Sequence, residues 1–240
     1  MRLPLVLAAT AACSSTVHAQ LVGVPPIVVP KSLIGSDVTV TLGSGYQEHT
    51  VGGVIPVAGR VAWNGDRLSV IGAGAWLPAP RDGVSNGFGA GLAFGWQATP
   101  FDPATNPFIW KPLARIHVGA AYSQFEEEGL GTWRQLDVPL AVGLGWVLPA
   151  QTLNVLGWLA AEGRIRMIRD PSGGGETENR AGGGLSAGVD VYKANCPPEN
   201  PDCVYGWGVR LGGEALLIEN VRTGGTFEWS AFLGVIWKFF

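Results

Sequence analysis

The chain has 240 residues, enough for one barrel or sandwich domain without a second. Charged residues make up only 15%, against roughly 25% in soluble domains, while glycine reaches 36 residues, about twice its usual share of roughly 7%. A net charge of −3 leaves no basic stripe to neutralise phosphates, so no nucleic-acid partner is expected.

The chain opens with Arg2, an apolar run over 3–12, the polar Ser14-Ser15-Thr16, and then small residues at Val17 and Ala19. That order predicts a secretory signal peptide over 1–19, cut after Ala19. Ala11-Ala12-Cys13 resembles a lipoprotein box, but Thr10 stands where such boxes carry Leu, so lipidation of Cys13 is not expected. A periplasmic lead-in is expected over 20–35. The remaining residues, 36–240, are assigned to one barrel domain.

No run of roughly 18 uninterrupted apolar residues follows the leader, which argues against a membrane-spanning helix. A strict alternation takes its place. In Phe88-Gly89-Ala90-Gly91-Leu92-Ala93-Phe94-Gly95-Trp96-Gln97 the even positions are mostly large and apolar and the odd ones are Gly, Ala or Gln. The same period of two runs over 136–146 and 227–239, at lengths that suit a tilted membrane strand. Strands are therefore predicted at 37–46, 54–63, 67–77, 87–97, 112–123, 133–147, 152–168, 180–193, 204–218 and 227–240. The second is the weakest, because Pro56 sits inside it, and eight strands is the alternative count. The expected fold is all-β, a closed antiparallel up-and-down transmembrane barrel of about ten strands.

Turn signals at Asn64-Gly65-Asp66 and 148–151 mark short connections at the end that holds both termini. Opposite them lie the predicted outer loops 47–53, 79–86, 124–131, 169–179 and 219–226. Trp63, Trp96, Trp146 and Trp237 then form one aromatic girdle, and Tyr46, Trp76, Tyr122 and Trp229 the other. After leader removal only Cys196 and Cys203 remain, and an even count in an oxidising compartment favours a disulfide across the Pro-rich turn between them. Two cysteines without nearby histidines cannot complete a metal shell, so no metal and no cofactor are expected.

The last strand, Leu233-Gly234-Val235-Ile236-Trp237-Lys238-Phe239-Phe240, resembles the terminal strand by which outer-membrane barrels are recognised for insertion. Leu233, Val235, Trp237 and Phe239 keep the alternate apolar spacing, with Phe240 one residue beyond. On this pattern the chain resembles the family of small bacterial outer-membrane barrels. The resemblance implies residence in the bacterial outer membrane, contact with its lipid, and a barrel-insertion machinery as partner.

Placing the large apolar set against lipid sends the other face inward. That assigns Arg60, Arg67, Arg115, His117, Asp137, Glu162, Arg164, Arg166, Arg210, Glu214 and Glu228 to a lumen charge network. A barrel of this size is filled by its own side chains. The expected function is an integral outer-membrane barrel with a charge-paired, largely filled lumen, structural or a narrow small-solute channel. The alternatives are surface recognition through the outer loops and, behind it, a hydrolase using His117. A lone strand histidine with no nucleophile placed near it by sequence is a poor catalyst, so no enzyme is expected.

Overall fold

The structure is a computed structural model, and it describes residues 37–49, 52–99, 112–149, 153–194, 205–220 and 224–239. The leader, Cys13, Cys196, Cys203 and Phe240 all lie outside the described residues.

Eleven strand segments follow one another: β1 (Asp37–His49), β2 (Gly52–Val54), β3 (Val57–Asn64), β4 (Leu68–Leu77), β5 (Gly87–Gln97), β6 (Leu113–Glu127), β7 (Gly131–Pro149), β8 (Asn154–Arg169), β9 (Thr177–Ala194), β10 (Tyr205–Asn220) and β11 (Gly224–Phe239). Each pairs antiparallel with its neighbours, and β11 returns to pair with β1 from Val38–Phe239 to Gln47–Ser230. The sheet closes on itself. Segments β2 and β3 both pair with β1 in one continuous register, so they are two halves of a single wall strand. The break falls at Ile55-Pro56, where proline has no N–H to give; Ser44 Oγ donates to the Pro56 carbonyl at 2.7 Å instead. The wall is a closed ten-stranded antiparallel barrel, and the eight-strand alternative is excluded.

Closure demands tilt. A line of paired residues starting at Gln47 passes through Ser230, Glu214, Ser186, Ala160, Gly143 and Arg115 and arrives at Gln97. Gln47 stands near the far end of β1, while Gln97 closes β5 at the end where the described chain starts and stops.

Alternation divides the side chains into two populations. Leu42, Val61, Phe94, Leu140, Leu211 and Leu233 stand outside with 52–58% exposure, whereas Arg166 and Asp137 inside have none. A water-soluble barrel would show the reverse. The outward ring residues Tyr46, Trp63, Trp76, Trp96, Trp229 and Trp237 are exposed, and Tyr122 and Trp146 are half-buried on the same face. Tyr46 and Trp229 lean together at 5.0 Å between ring centroids. Trp207, which the sequence reading left out, is also exposed on that face.

The strands run longer than expected at the far end. The predicted loop 124–131 shrinks to a tight turn, because β6 continues to Glu127 and β7 restarts at Gly131. The predicted loops 169–179 and 219–226 shorten in the same way. Apolar alternation stops where the outside becomes polar, but ladder hydrogen bonds need no apolar side chains and continue past that limit. Segment 78–86 folds back onto this extension: Ser85 N donates to Glu126 O at 2.8 Å, and Arg81 meets Glu127 at 2.5 Å.

Inward glycines set the curvature. A Cβ on Gly184 would lie 2.1 Å from the Ala215 carbonyl oxygen, and one on Gly182 would lie 2.4 Å from that of Leu217. Strands β9 and β10 thus turn too sharply toward each other for any inward side chain there. Gly184→Ala should destabilise the folded barrel by about 1–3 kcal/mol, the usual cost of overpacking. Its urea midpoint in detergent should fall, whereas Gly163→Ala on the outer wall, where a Cβ meets nothing, should leave it nearly unchanged.

Candidate functional site: the charged lumen

Strand β8 places Glu162, Arg164 and Arg166 on the inner face at successive inward positions, and each is buried. Arg166 donates through Nε to Asp137 Oδ1 at 2.8 Å, directly across the β7–β8 ladder, and through Nη1 to Glu228 Oε1 on β11 at 2.8 Å. Arg164 binds Glu162 on its own strand and donates to Glu214 Oε1 on β10 at 2.5 Å. Gln135 adds a 2.9 Å bond to the second Asp137 oxygen. These side chains reach past β9 only because Gly182 and Gly184 stand opposite Arg164 and Glu162 with nothing projecting inward.

A second knot lies toward the terminal end. Arg210 and Asp190 face each other across β9–β10 and form a two-pronged pair at 2.8 and 2.6 Å. Arg60 and Arg115 share that region, and Asp190 and Arg210 act on Arg60 through space. Asp37, held by Asn64 at 2.7 Å and Thr39 at 3.0 Å, acts on Arg115. Lys238 Nζ lies 4.0 Å from the Tyr192 ring centre, a cation on an aromatic face.

His117 is buried between inward Gly95 on β5 and Ala141 on β7. Among the described residues neither ring nitrogen has a hydrogen-bond partner, so neither Ser69, Ser123 nor Ser186 reaches it. Beside it the β6–β7 ladder skips Gly119 and Ala120 opposite Val138 and Pro139, since proline donates nothing there. His49 closes β1.

The structure therefore brings Asp137, Glu162, Arg164, Arg166, Glu214 and Glu228 into one contact network. Arg210 finds its partner in Asp190, while Arg60, Arg115 and His117 occupy the region between. Arg67 departs from the expectation: it is exposed. It sits in the turn before β4 starts at Leu68, where alternation no longer constrains direction, and its carbonyl accepts from Gln97 N at 2.7 Å. Asp37, Asp190 and Lys238 were missed, although each shares the parity of inward residues on its own strand. With them, the inward charges of the lumen among the described residues include the acids Asp37, Asp137, Asp190, Glu162, Glu214 and Glu228 and the bases Arg60, Arg115, Arg164, Arg166, Arg210 and Lys238, and the ion pair of Arg180 with Glu178 adds one of each nearer the far end.

Two apolar clusters flank the charges. Val54, Leu77, Val84 and Phe125 form a buried cluster at the far end, with Trp133 against it and its Nε1 donating to Glu127 at 2.6 Å. Leu156, Trp158 and Tyr192 form another toward the terminal end, with Phe232 packed on it. Trp158 is an inward tryptophan, on the same parity as Glu162.

No family model matches the sequence, and no curated protein matches it. Among solved structures the chain is similar to the crystal structure of the outer membrane protease OmpT from Escherichia coli. The identity is 9% and the TM-score 0.44, over 89% of this chain and 99% of that one. This neighbour overturns one expectation. An enzyme had been discounted on the strength of a single lumen histidine, yet the neighbouring barrel is itself a protease. At 9% identity the likeness concerns the fold and carries no activity to this chain.

Removing one member of the network leaves the others charged and dry. Arg166→Ala should cost about 3–5 kcal/mol, as expected for an orphaned buried ion. The triple replacement Arg166→Met, Asp137→Asn, Glu228→Gln should recover much of that loss, because no charge is then left alone. Urea unfolding of the two proteins in the same detergent measures the difference.

Proposed function

We propose that this chain is an integral protein of the bacterial outer membrane, and that its filled, charge-paired lumen makes it a closed structural barrel. One observation carries the reading: Arg166 bridges from β8 to Glu228 on β11 with no exposure to solvent, inside a wall whose outer face is apolar. Ions placed toward lipid would cost roughly 2–4 kcal/mol each at the midplane, whereas ions turned inward find partners. Short connections such as Asn64–Leu68 then lie in the periplasm, and the extended hairpins of β6–β7 and β8–β9 project outside the cell.

The remaining features fit the same route. Residues 1–19 act as the export signal, 20–35 form a lead-in, and Cys196 and Cys203 close a disulfide in the periplasmic connection. The alternating apolar set that ends in Trp237 and Phe239 addresses the chain to the barrel-insertion machinery.

Two measurements test the reading. Detergent-extracted protein should run as a compact band on a gel until boiled, and planar bilayers containing it should show no stable conductance steps. Recovery from the periplasm without detergent would sink the membrane assignment, and reproducible steps would sink the closed lumen. Leu140→Arg, at a fully outward wall position, should cost about 2–4 kcal/mol of barrel stability, while Glu126→Arg beyond the apolar belt should be nearly neutral.

A further inference from the structure

One feature of the outer wall is not explained by contact with lipid tails. At the far end of β7 and β8, Arg134 and Arg169 are direct partners across the ladder, and both are exposed on the outward face. Like charges set opposite each other in a sheet, with side chains about 5 Å apart at their base, repel. No acid relieves them. Among the described residues neither guanidinium forms an ion pair or a side-chain hydrogen bond. The carboxylates nearby are engaged elsewhere: Glu127 holds Arg81 and the Trp133 indole, Glu178 holds Arg180, and Asp170 accepts from Ser172. Glu126 lies one outward step further along β6, opposite Thr132.

The pair stands where the apolar belt ends. One outward step below it, about 7 Å along the strands, Tyr122, Leu136 and Met167 share a register line, and Val138 faces Ile165 below those. Tyr122 belongs to the far aromatic girdle, so the arginines sit just beyond the level at which lipid tails give way to headgroups. The Arg169 guanidinium reaches toward Gly175 in the turn beyond β8, where a Cβ would stand 3.4 Å from its Nη2. Such a side chain keeps its stem on apolar surface and its charge in the polar layer. The register line through the pair has Gln124 on β6 at one end and Thr177 on β9 at the other. The Tyr122 hydroxyl donates to Gln124 Oε1 at 2.8 Å, which leaves the amide nitrogen as a donor. The line therefore reads amide, guanidinium, guanidinium, hydroxyl, with no carboxylate in it.

We propose that this line is a docking site for the phosphate of a lipid in the outer leaflet, gripped by Arg134 and Arg169, with the lipid's chains lying on Leu136, Val138 and Met167. The site rests on the outer-membrane reading above, since it needs lipid at that height on the wall. Guanidiniums meet phosphate through paired, charge-assisted hydrogen bonds. A phosphate shared by both arginines turns their repulsion into attraction. Continuity with the apolar belt selects a lipid over a free ion, because one molecule then satisfies the arginines and covers the residues beneath them.

The test uses the mature barrel folded in non-ionic detergent micelles, doped separately with phosphatidic acid and with phosphatidylcholine, or given sodium phosphate alone. Phosphatidic acid should raise the unfolding temperature saturably, and native mass spectrometry should count one retained lipid. Arg134→Gln and Arg169→Gln should each weaken that response about tenfold, the loss of a hydrogen-bonded charge, and the double variant should lose it. Without phosphatidic acid the double variant should unfold at the same temperature as wild type or higher, because a repulsion has been removed. A lower temperature there marks the pair as structural and overturns the site. So does a phosphatidic acid response that is absent, that survives in the double variant, or that phosphatidylcholine matches. An equal response to sodium phosphate alone overturns the lipid as its source. The compact unboiled band in undoped micelles tests the barrel separately, so a missing lipid response with that band intact counts against the site and not against the membrane reading.

Discussion

A sheet that closes on itself in lipid has one dry inside, and every charge turned away from the membrane must find its counter-charge there. Arg164 and Arg166 show how this constraint is met. Each draws on carboxylates from its own strand or the adjacent one and from strands beyond β9, so the pairs tie β7, β8, β10 and β11 across the lumen. Such a network contributes little net stability compared with a well-packed apolar core. Its weight lies in the penalty for breaking it, and so in the register it enforces.

Curvature and charge are solved by the same residues. Gly182 and Gly184 are needed because the wall bends too tightly there for a Cβ. The same absence opens the path along which Arg164 reaches Glu214. At the far end the lumen turns apolar with Phe125 and Leu77, while toward the terminal end Leu156, Trp158 and Tyr192 pack beside charged groups such as Lys238. Burial of these charged side chains strengthens the contacts among them. A crevice of about 50 Å³ runs along the glycines of β1.

The departures from expectation share a cause. Period-two reading detects where side chains alternate, not where backbone pairing ends. Polar stretches around Gln124, Thr132 and Asn179 therefore looked like loops although their ladders continue. Arg67 failed in the opposite sense, since parity was extended one residue beyond the strand into a turn. The discounting of catalysis failed for a broader reason. It asked only whether one lumen histidine had a partner, and a missing partner at one residue does not decide activity.

Much was legible in the residues alone. Alternation depends only on which neighbour along the chain is large and apolar, so the all-β class, the strand order and the outward faces of Phe94, Leu140 and Leu233 could be read directly. Inward parity likewise placed Asp137, Glu162, Arg164 and Arg166 on one side of the wall. What parity cannot say is which inward residues meet, because that depends on strand tilt and on the shift accumulated around the closed sheet. Only the closed structure therefore joins Arg166 to Glu228, sets Arg210 opposite Asp190, and leaves a crevice beside Arg60.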